Sequence, residues 1–296
     1  MGKHAYLVMA HSNVNQLKKL LQCLDYKDND NFIHFDARFE GVNIKDIKAI
    51  CKYSNVTFTK RIPVYWGGYS LIYARFILLE DARKKGPYDF YHFISGQDLP
   101  LRSQRYIHDF FDKHKDEEFI SIGPYADWYL DRVKYFYFRE SKWSLKVVGK
   151  AFNKISIVLQ KLILINRLRH SNIKFYIGEE WFSVTEQFVD YALSQRAFCE
   201  KYFRYGNCTD ELVFPTLYML NTGVNKRYKS PYKHESFDNQ RMDIVRAIDW
   251  HRGHPYIYRI EDYKMLKESN CLFARKFDEN VDNEIIDKLV EEVSMN

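Results

Sequence analysis

The stretch YDFYHFISGQDLPLR (88–102) constrains this chain more than any other. Residues 90–94 alternate aromatic, histidine and β-branched side chains, as a strand buried on both faces does. The run then breaks into Ser95-Gly96-Gln97-Asp98 and reaches Pro100, which cannot continue a central strand. Open α/β sheets hold their ligands outside the carboxyl ends of the strands, so this break predicts the floor of an active site.

The first third repeats the same strand-then-helix unit. Residues 5–10, 31–35, 55–58, 90–94 and 118–122 read as strands, with helices over 13–24, 44–51, 70–84 and 103–113 between them. Repeated βα units predict an α/β fold, a mostly parallel sheet with helices on both faces. Beyond 175 the pattern mixes: a strand over 175–184, helices over 186–195 and 210–220, a loop-rich excursion over 223–241, and a closing amphipathic helix over 282–293. Without an internal repeat or linker, one domain is expected over 1–296, with 1–125 and 126–296 as its two halves.

At 296 residues the chain can bury a large core without staples. Its 5 cysteines are scattered and odd in number, which fits reduced thiols and a cytoplasmic location. The start, Met1-Gly2-Lys3, leads directly into a strand and does not resemble a signal peptide, and no apolar run has the length of a bilayer span. A net charge of +6 is modest and suits an anionic ligand or membrane surface.

Charge is concentrated in one place. No acidic residue occurs between Ser141 and Gly178, where Lys142, Lys146, Lys150, Lys154, Lys161, Arg167, Arg169 and Lys174 lie. Within the helix expected over 144–169, Val148, Ala151, Phe152, Ile155, Leu159, Leu162 and Ile165 share a face, and lysines gather opposite. Such a helix either lies peripherally on an anionic membrane or packs its apolar face on its own domain.

Three stretches carry candidate chemistry. Glu211, in NCTDEL (207–212), opens a helix and is either a general base or a capping acid, with capping the simpler reading of the residues alone. Lys276, in LFARKFD (272–278), either meets an anion such as a diphosphate or pairs with Asp278 or Glu279. Asp36, ending a strand, is either a ribose or base contact or a solvated turn residue. The D-x-D of Asp28-Asn29-Asp30 precedes a strand in a polar turn, so it is not read as a metal site, and phosphate-loop and zinc spacings do not occur.

Together these stretches resemble the core-2/I-branching β-1,6-N-acetylglucosaminyltransferases and peptide O-xylosyltransferases, a single family of inverting glycosyltransferases. The likeness runs in order through YLVMAH, IHFDAR, VYWGGYS, YDFYHFISGQDLPLRS, GEEWFSVT, CTDEL and LFARKFD, nearly the whole chain. It implies a glycosyltransferase A-type (Rossmann-like) fold, a UDP-sugar donor carrying N-acetylglucosamine or xylose, a saccharide acceptor, and no cofactor or divalent metal. It implies Glu211 as catalytic base, Lys276 with Arg252 (or Arg259) on the donor diphosphate, and Asp36, Tyr65 and the Met9-Ala10 edge at the nucleoside. Trp250 matches an acceptor-side aromatic, with Asp98 and Trp181 expected nearby. The animal enzymes carry a membrane anchor and many disulfide cysteines, so this chain resembles a bacterial cytoplasmic relative, on the inner membrane face, in capsule or exopolysaccharide assembly. Its rivals are a non-catalytic nucleotide-sugar- or carbohydrate-binding protein on the same fold and a nucleic-acid binder; the basic segment has too few interleaved aromatics for the latter.

Overall fold

The computed structural model describes residues 2–221 and 240–294. In chain order its strands are β1 (His4–Ala10), β2 (Asn29–Phe35), β3 (Asn55–Phe58), β4 (Phe90–Ser95), β5 (Asp98–Pro100), β6 (Ser183–Thr185), β7 (Gln240–Arg241), β8 (Arg246–Ile248) and β9 (Phe273–Arg275). The main sheet runs β3-β2-β1-β4-β6, parallel except where β6 meets β4. A smaller sheet runs β5-β9-β8-β7. Pro100 therefore lies on an edge strand, where its missing N–H costs no ladder bond.

Every residue of β1 is buried. Ala5, Leu7 and Met9 face a core that includes Ile72, Phe76 and Leu79 of helix Tyr69–Lys85 and Phe214 of helix Asp210–Leu220. Tyr6, Val8 and Ala10 face a second core built on Leu17, Leu20 and Leu21 of helix Val14–Leu24, Ile286 and Leu289 of helix Asn283–Ser294, and Phe273 of the small sheet. Each fully buried Val, Leu, Ile or Phe among these contributes about 1.5–3 kcal/mol. The expected α/β architecture, a mostly parallel sheet with helices on both faces, is what these residues build. The two sheets are tied by Arg246 in β8, whose Nη2 donates to the carbonyls of Phe93 and Phe182, each at 3.0 Å.

Several elements differ from the sequence expectation. The strand expected over 118–122 is a single bridge between Phe119 and Ser183, because Glu118 turns inward to accept from Thr185. The strand expected over 175–184 shrinks to β6, since residues 175–182 cross the domain as irregular chain. Helix Arg196–Phe203 follows helix Glu186–Ser194 almost without a break, and the sequence reading missed it. Most of the excursion expected over 223–241 lies outside the described residues.

Gly178 sets the path of that irregular chain. A Cβ there would sit 2.0 Å from the carbonyl oxygen of Ser121 and 2.9 Å from the Pro215 ring, so only glycine lets the two segments meet.

The buried Glu118 carboxyl carries a pH signature. Burial pushes it up to about 7, against an ordinary 4.5, despite the bonds from Thr185. The folded chain thus holds a proton that the unfolded chain releases. Its contribution to stability is complete below the unfolded value and is lost as pH rises through the folded one. Urea unfolding of Glu118→Gln is expected to show a flatter decline in stability between about pH 5 and 7 than wild type; an unchanged slope would contradict this.

Candidate active site

The carboxyl ends of β1, β2 and β4 open into a cavity of about 610 Å³. Chain order reverses direction across β1, with β2 on one side and β4 on the other, which is the position where such sheets bind ligands. Met9, Ala10 and His11 come from the end of β1, Asp36 and Arg38 from the end of β2, and Ser95 and Gln97 from the end of β4. The turn expected at 95–98 is locked by Ser95 N donating to Asp98 Oδ2 at 3.0 Å, Gln97 N to Ser95 Oγ at 3.0 Å, and Gly96 N to Met9 O at 2.8 Å.

Three further segments complete the wall. Helix Asp210–Leu220 enters with Asp210 and Glu211. Gly67, at φ 72°, lets its carbonyl accept from Cys208 N at 2.9 Å, which holds the helix start beside Trp66. After β8, Asp249 Oδ1 accepts from His251 N and Arg252 N at 2.9 and 3.0 Å, and the resulting tight turn brings Trp250 and His254 to the cavity. Arg275 and Lys276 arrive from the end of β9. β9 ends at Arg275, so Lys276 lies just beyond the strand.

The sequence-nominated residues fall into two groups. Glu211, Lys276, Asp36, Ala10, Trp250 and Trp181 line one cavity. Tyr65, Arg252 and Asp98 do not. Tyr65 acts at one remove: the Arg38 guanidinium lies over its ring, 5.1 Å from the centroid. Arg252 is held by Asp249 at 2.5 Å and Asp262 at 2.8 Å, which occupy its guanidinium. Arg259 donates its backbone N–H to Asp262 at 2.9 Å and likewise lies outside the cavity wall. Asp98 is buried, its carboxylate taken by Ser95 N and by Arg275 at 3.2 Å, so it positions Arg275 and is not open to an acceptor.

Asp36 is neither a bare ligand nor a solvated turn residue. Arg38 donates to it from its backbone N at 2.8 Å and from Nη2 at 2.6 Å. Burial alone would raise its carboxyl, but these bonds hold it below the usual range. Lys276, by contrast, has no carboxylate partner among the described residues; Asp278 instead accepts from Asn13 and Asn280, each at 3.1 Å. Glu211 reaches the wall 41% exposed, with Oε2 2.5 Å from Arg132 Nη1.

Sequence reading missed the charges behind the wall. Arg75, in the otherwise apolar face of helix Tyr69–Lys85, donates Nη2 to Glu180 Oε2 at 2.5 Å. Asp210 lies against Glu180; burial first, then the Glu180 charge, raises its carboxyl. Burial would raise Glu180 too, yet the Arg75 and Arg275 guanidiniums hold it low. The two carboxyls titrate as a pair, in which the Asp210 carboxyl is pushed up and the Glu180 carboxyl is held down. The sequence signal was available: an arginine inside a buried helical run needs an anion. Among the described residues, no group of three His, Cys, Asp or Glu side chains is arranged to hold a metal ion. Of the D-x-D, Asp30 lies at the far end of β2 and accepts from Tyr88 Oη at 2.6 Å and Asn55 Nδ2 at 2.6 Å.

Comparison with known proteins follows this geometry. The family model described as Core-2/I-Branching enzyme matches residues 4–268. Xylosyltransferase 2 of Bos taurus is 22% identical over 300 residues, covering 96% of this chain and 33% of that protein. Xylosyltransferase 1 of Homo sapiens is 22% identical over 310 residues, covering 96% of this chain and 30% of that protein. The chain thus spans about a third of the length of these relatives. The crystal structure of mouse Xyloside xylosyltransferase 1, apo form, aligns over 91% of this chain and 96% of that one with a TM-score of 0.36 and 10% identity.

Replacing Arg75 by Met should leave the half-buried Glu180 carboxylate without its hydrogen-bonded partner, with the Arg275 charge alone beside it. A loss of about 3 kcal/mol in urea unfolding is expected; a variant as stable as wild type would show that the pair does not hold the wall.

Proposed function

We propose, from the premise that the chain belongs to the Core-2/I-Branching enzyme family, that it is an inverting glycosyltransferase acting on a UDP-sugar and a saccharide hydroxyl. The observation that carries this reading is that Glu211 and Lys276 open into one cavity at the carboxyl ends of β1, β2 and β4. Xylose is a candidate sugar because the relatives are named xylosyltransferases, and N-acetylglucosamine because the motif resemblance implies it.

In the proposed reaction the acceptor oxygen attacks the anomeric carbon and its proton passes to the Glu211 carboxylate. The bond to the diphosphate breaks with its electron pair, and the diphosphate leaves from the opposite face. Lys276 receives that growing charge, since its ammonium has no internal counter-ion among the described residues. Arg275 and Arg38, also at the wall, are already paired with Asp98 and Asp36 and offer the ligand at most their remaining N–H donors. Arg252 joins them only by giving up Asp249 or Asp262. This is work that a divalent cation can do elsewhere, and the enzyme is proposed to be metal-independent.

Ala10 and Asp36, with Arg38 stacked on Tyr65, would border the nucleoside. Trp250, 45% exposed, offers a ring to an acceptor sugar, whereas Trp181 is buried and shapes the floor. The proposed setting is cytoplasmic assembly of a capsule or exopolysaccharide, with a lipid-linked saccharide as acceptor. Among the described residues no helix is long and apolar enough to cross a membrane. One observation favours a non-catalytic binding protein: Arg132 occupies the Glu211 carboxylate. Catalysis requires that an acceptor hydroxyl displace Arg132 from at least one carboxylate oxygen.

Nucleotide release from a panel of nucleotide sugars, with and without EDTA, tests the reading. One UDP-sugar should be consumed whether or not EDTA is present, and Lys276→Met should lower kcat/KM by about tenfold to a hundredfold, the worth of one charge-assisted bond. Loss of activity in EDTA, or a Lys276→Met enzyme as active as wild type, would contradict the cationic leaving-group site.

A further inference from the structure

Helix Val147–Leu162 is mounted the opposite way from an ordinary surface helix. The residues it buries are Gly149, Asn153 and Gln160. Asn153 accepts from Phe138 N at 2.8 Å and donates to Phe138 O at 3.2 Å. Gln160 accepts from Phe136 N at 2.8 Å and donates to Phe136 O at 2.9 Å. Two side-chain amides, each bonded twice to one backbone residue, thus fasten the helix without spending its apolar face.

That face points outward, so of the two alternatives the sequence left open the apolar face does not take the one that packs on its own domain. Val148, Phe152, Ile155, Val158, Leu159 and Leu162 are all exposed, Leu162 to 72%. At about 100° per residue they fill an arc of about 120°. Trp143 and Phe138 extend the ridge, with ring centroids 5.4 and 5.7 Å from Phe152. An exposed apolar surface of this continuity marks an interaction site.

Charge along the helix says what kind of partner fits. Lys150, Lys154 and Lys161 lie between the apolar arc and the buried stripe, where with Tyr137 and Arg139 they line a groove of about 330 Å³. Arg139 Nε is buried there without a hydrogen-bond partner. No acidic residue occurs from 142 to 177, and of these three lysines Lys161 alone has a carboxylate contact among the described residues, Asp131 Oδ2 at 3.2 Å, so the unpaired charge rests on Lys150 and Lys154. A second copy of the chain would bring like charges together, and a nucleic acid would leave the apolar arc in water. An anionic bilayer satisfies both parts.

We infer that this face docks on an anionic lipid surface. The apolar arc enters the interface beside the headgroups, and the basic groove takes lipid phosphates through Lys150, Lys154 and Arg139. The inference concerns binding alone and stands apart from the reaction proposed above.

Co-sedimentation of the full chain with vesicles tests it, using phosphatidylcholine alone and phosphatidylcholine with phosphatidylglycerol in equal parts. Wild type should sediment with the anionic vesicles and not with the neutral ones. The double variants Ile155→Glu/Leu162→Glu and Lys150→Glu/Lys154→Glu should each partition about tenfold less or worse, with circular dichroism and melting like wild type. Wild type left in the supernatant with both vesicles, or both variants sedimenting like wild type, overturns the inference. So does a concentration-dependent dimer in sedimentation velocity that Ile155→Glu/Leu162→Glu abolishes while vesicle binding persists. Tight binding of single-stranded RNA that depends on the lysines, with no vesicle binding, would likewise reassign the face.

Discussion

The wall of the cavity depends on a small group of buried charges that neutralise one another. Arg75 from one helix pairs with Glu180, Arg275 from β9 pairs with Asp98, and both guanidiniums lie over the ring of Trp181, at 5.4 and 4.3 Å. The elements that carry them are far apart in sequence, so this group fixes how the two sheets and helix Tyr69–Lys85 meet. Buried pairs of this kind add little net stability, but removing one partner is costly. Their use here is geometric: they hold a polar cavity open at the sheet's edge.

From that constraint the chemistry follows. With Arg75 and Arg275 committed to internal anions, and Arg38 to Asp36, Lys276 is a wall cation without a carboxylate partner among the described residues, which is why the proposed reaction gives it the leaving diphosphate. Across the same cavity Glu211 stays at the surface, while Asp210 beside it is buried, and burial with the Glu180 charge pushes its carboxyl up. Two adjacent carboxyls thus differ in role because their surroundings differ, the exposed one being suited to take a proton and the buried one to shape the wall. A fixed electrostatic frame of this sort can stabilise a leaving diphosphate without rearranging during the reaction.

Much of this was legible in the sequence, and the limits have physical causes. The βα units of the first third were readable because their strands are buried on both faces and their helices have clear stops, such as Gly86 after helix Tyr69–Lys85. Motif order singled out Glu211, Lys276, Asp36 and Trp250, which do meet at the cavity. Residues 118–122 and 175–184 misled, because strand-like composition there serves irregular chain buried against the sheet. Spacing could not show that Asp98 faces inward, that Arg252 is already bound, or that helix Val147–Leu162 is fastened through its polar side. The first depends on a partner far away in sequence, Arg275, the second on a turn that folds Asp249 and Asp262 onto one guanidinium, and the third on which side of an amphipathic helix finds hydrogen bonds.

The central claim is that Glu211 takes the acceptor proton in an otherwise preformed donor site. Calorimetric titration of Glu211→Gln with the consumed UDP-sugar, paired with its turnover rate, tests this directly. The account predicts donor affinity close to wild type and a turnover rate lower by about 10²–10⁴-fold. A glutamine variant that binds donor and turns over like wild type would contradict it, and would return Glu211 to the role of a capping acid.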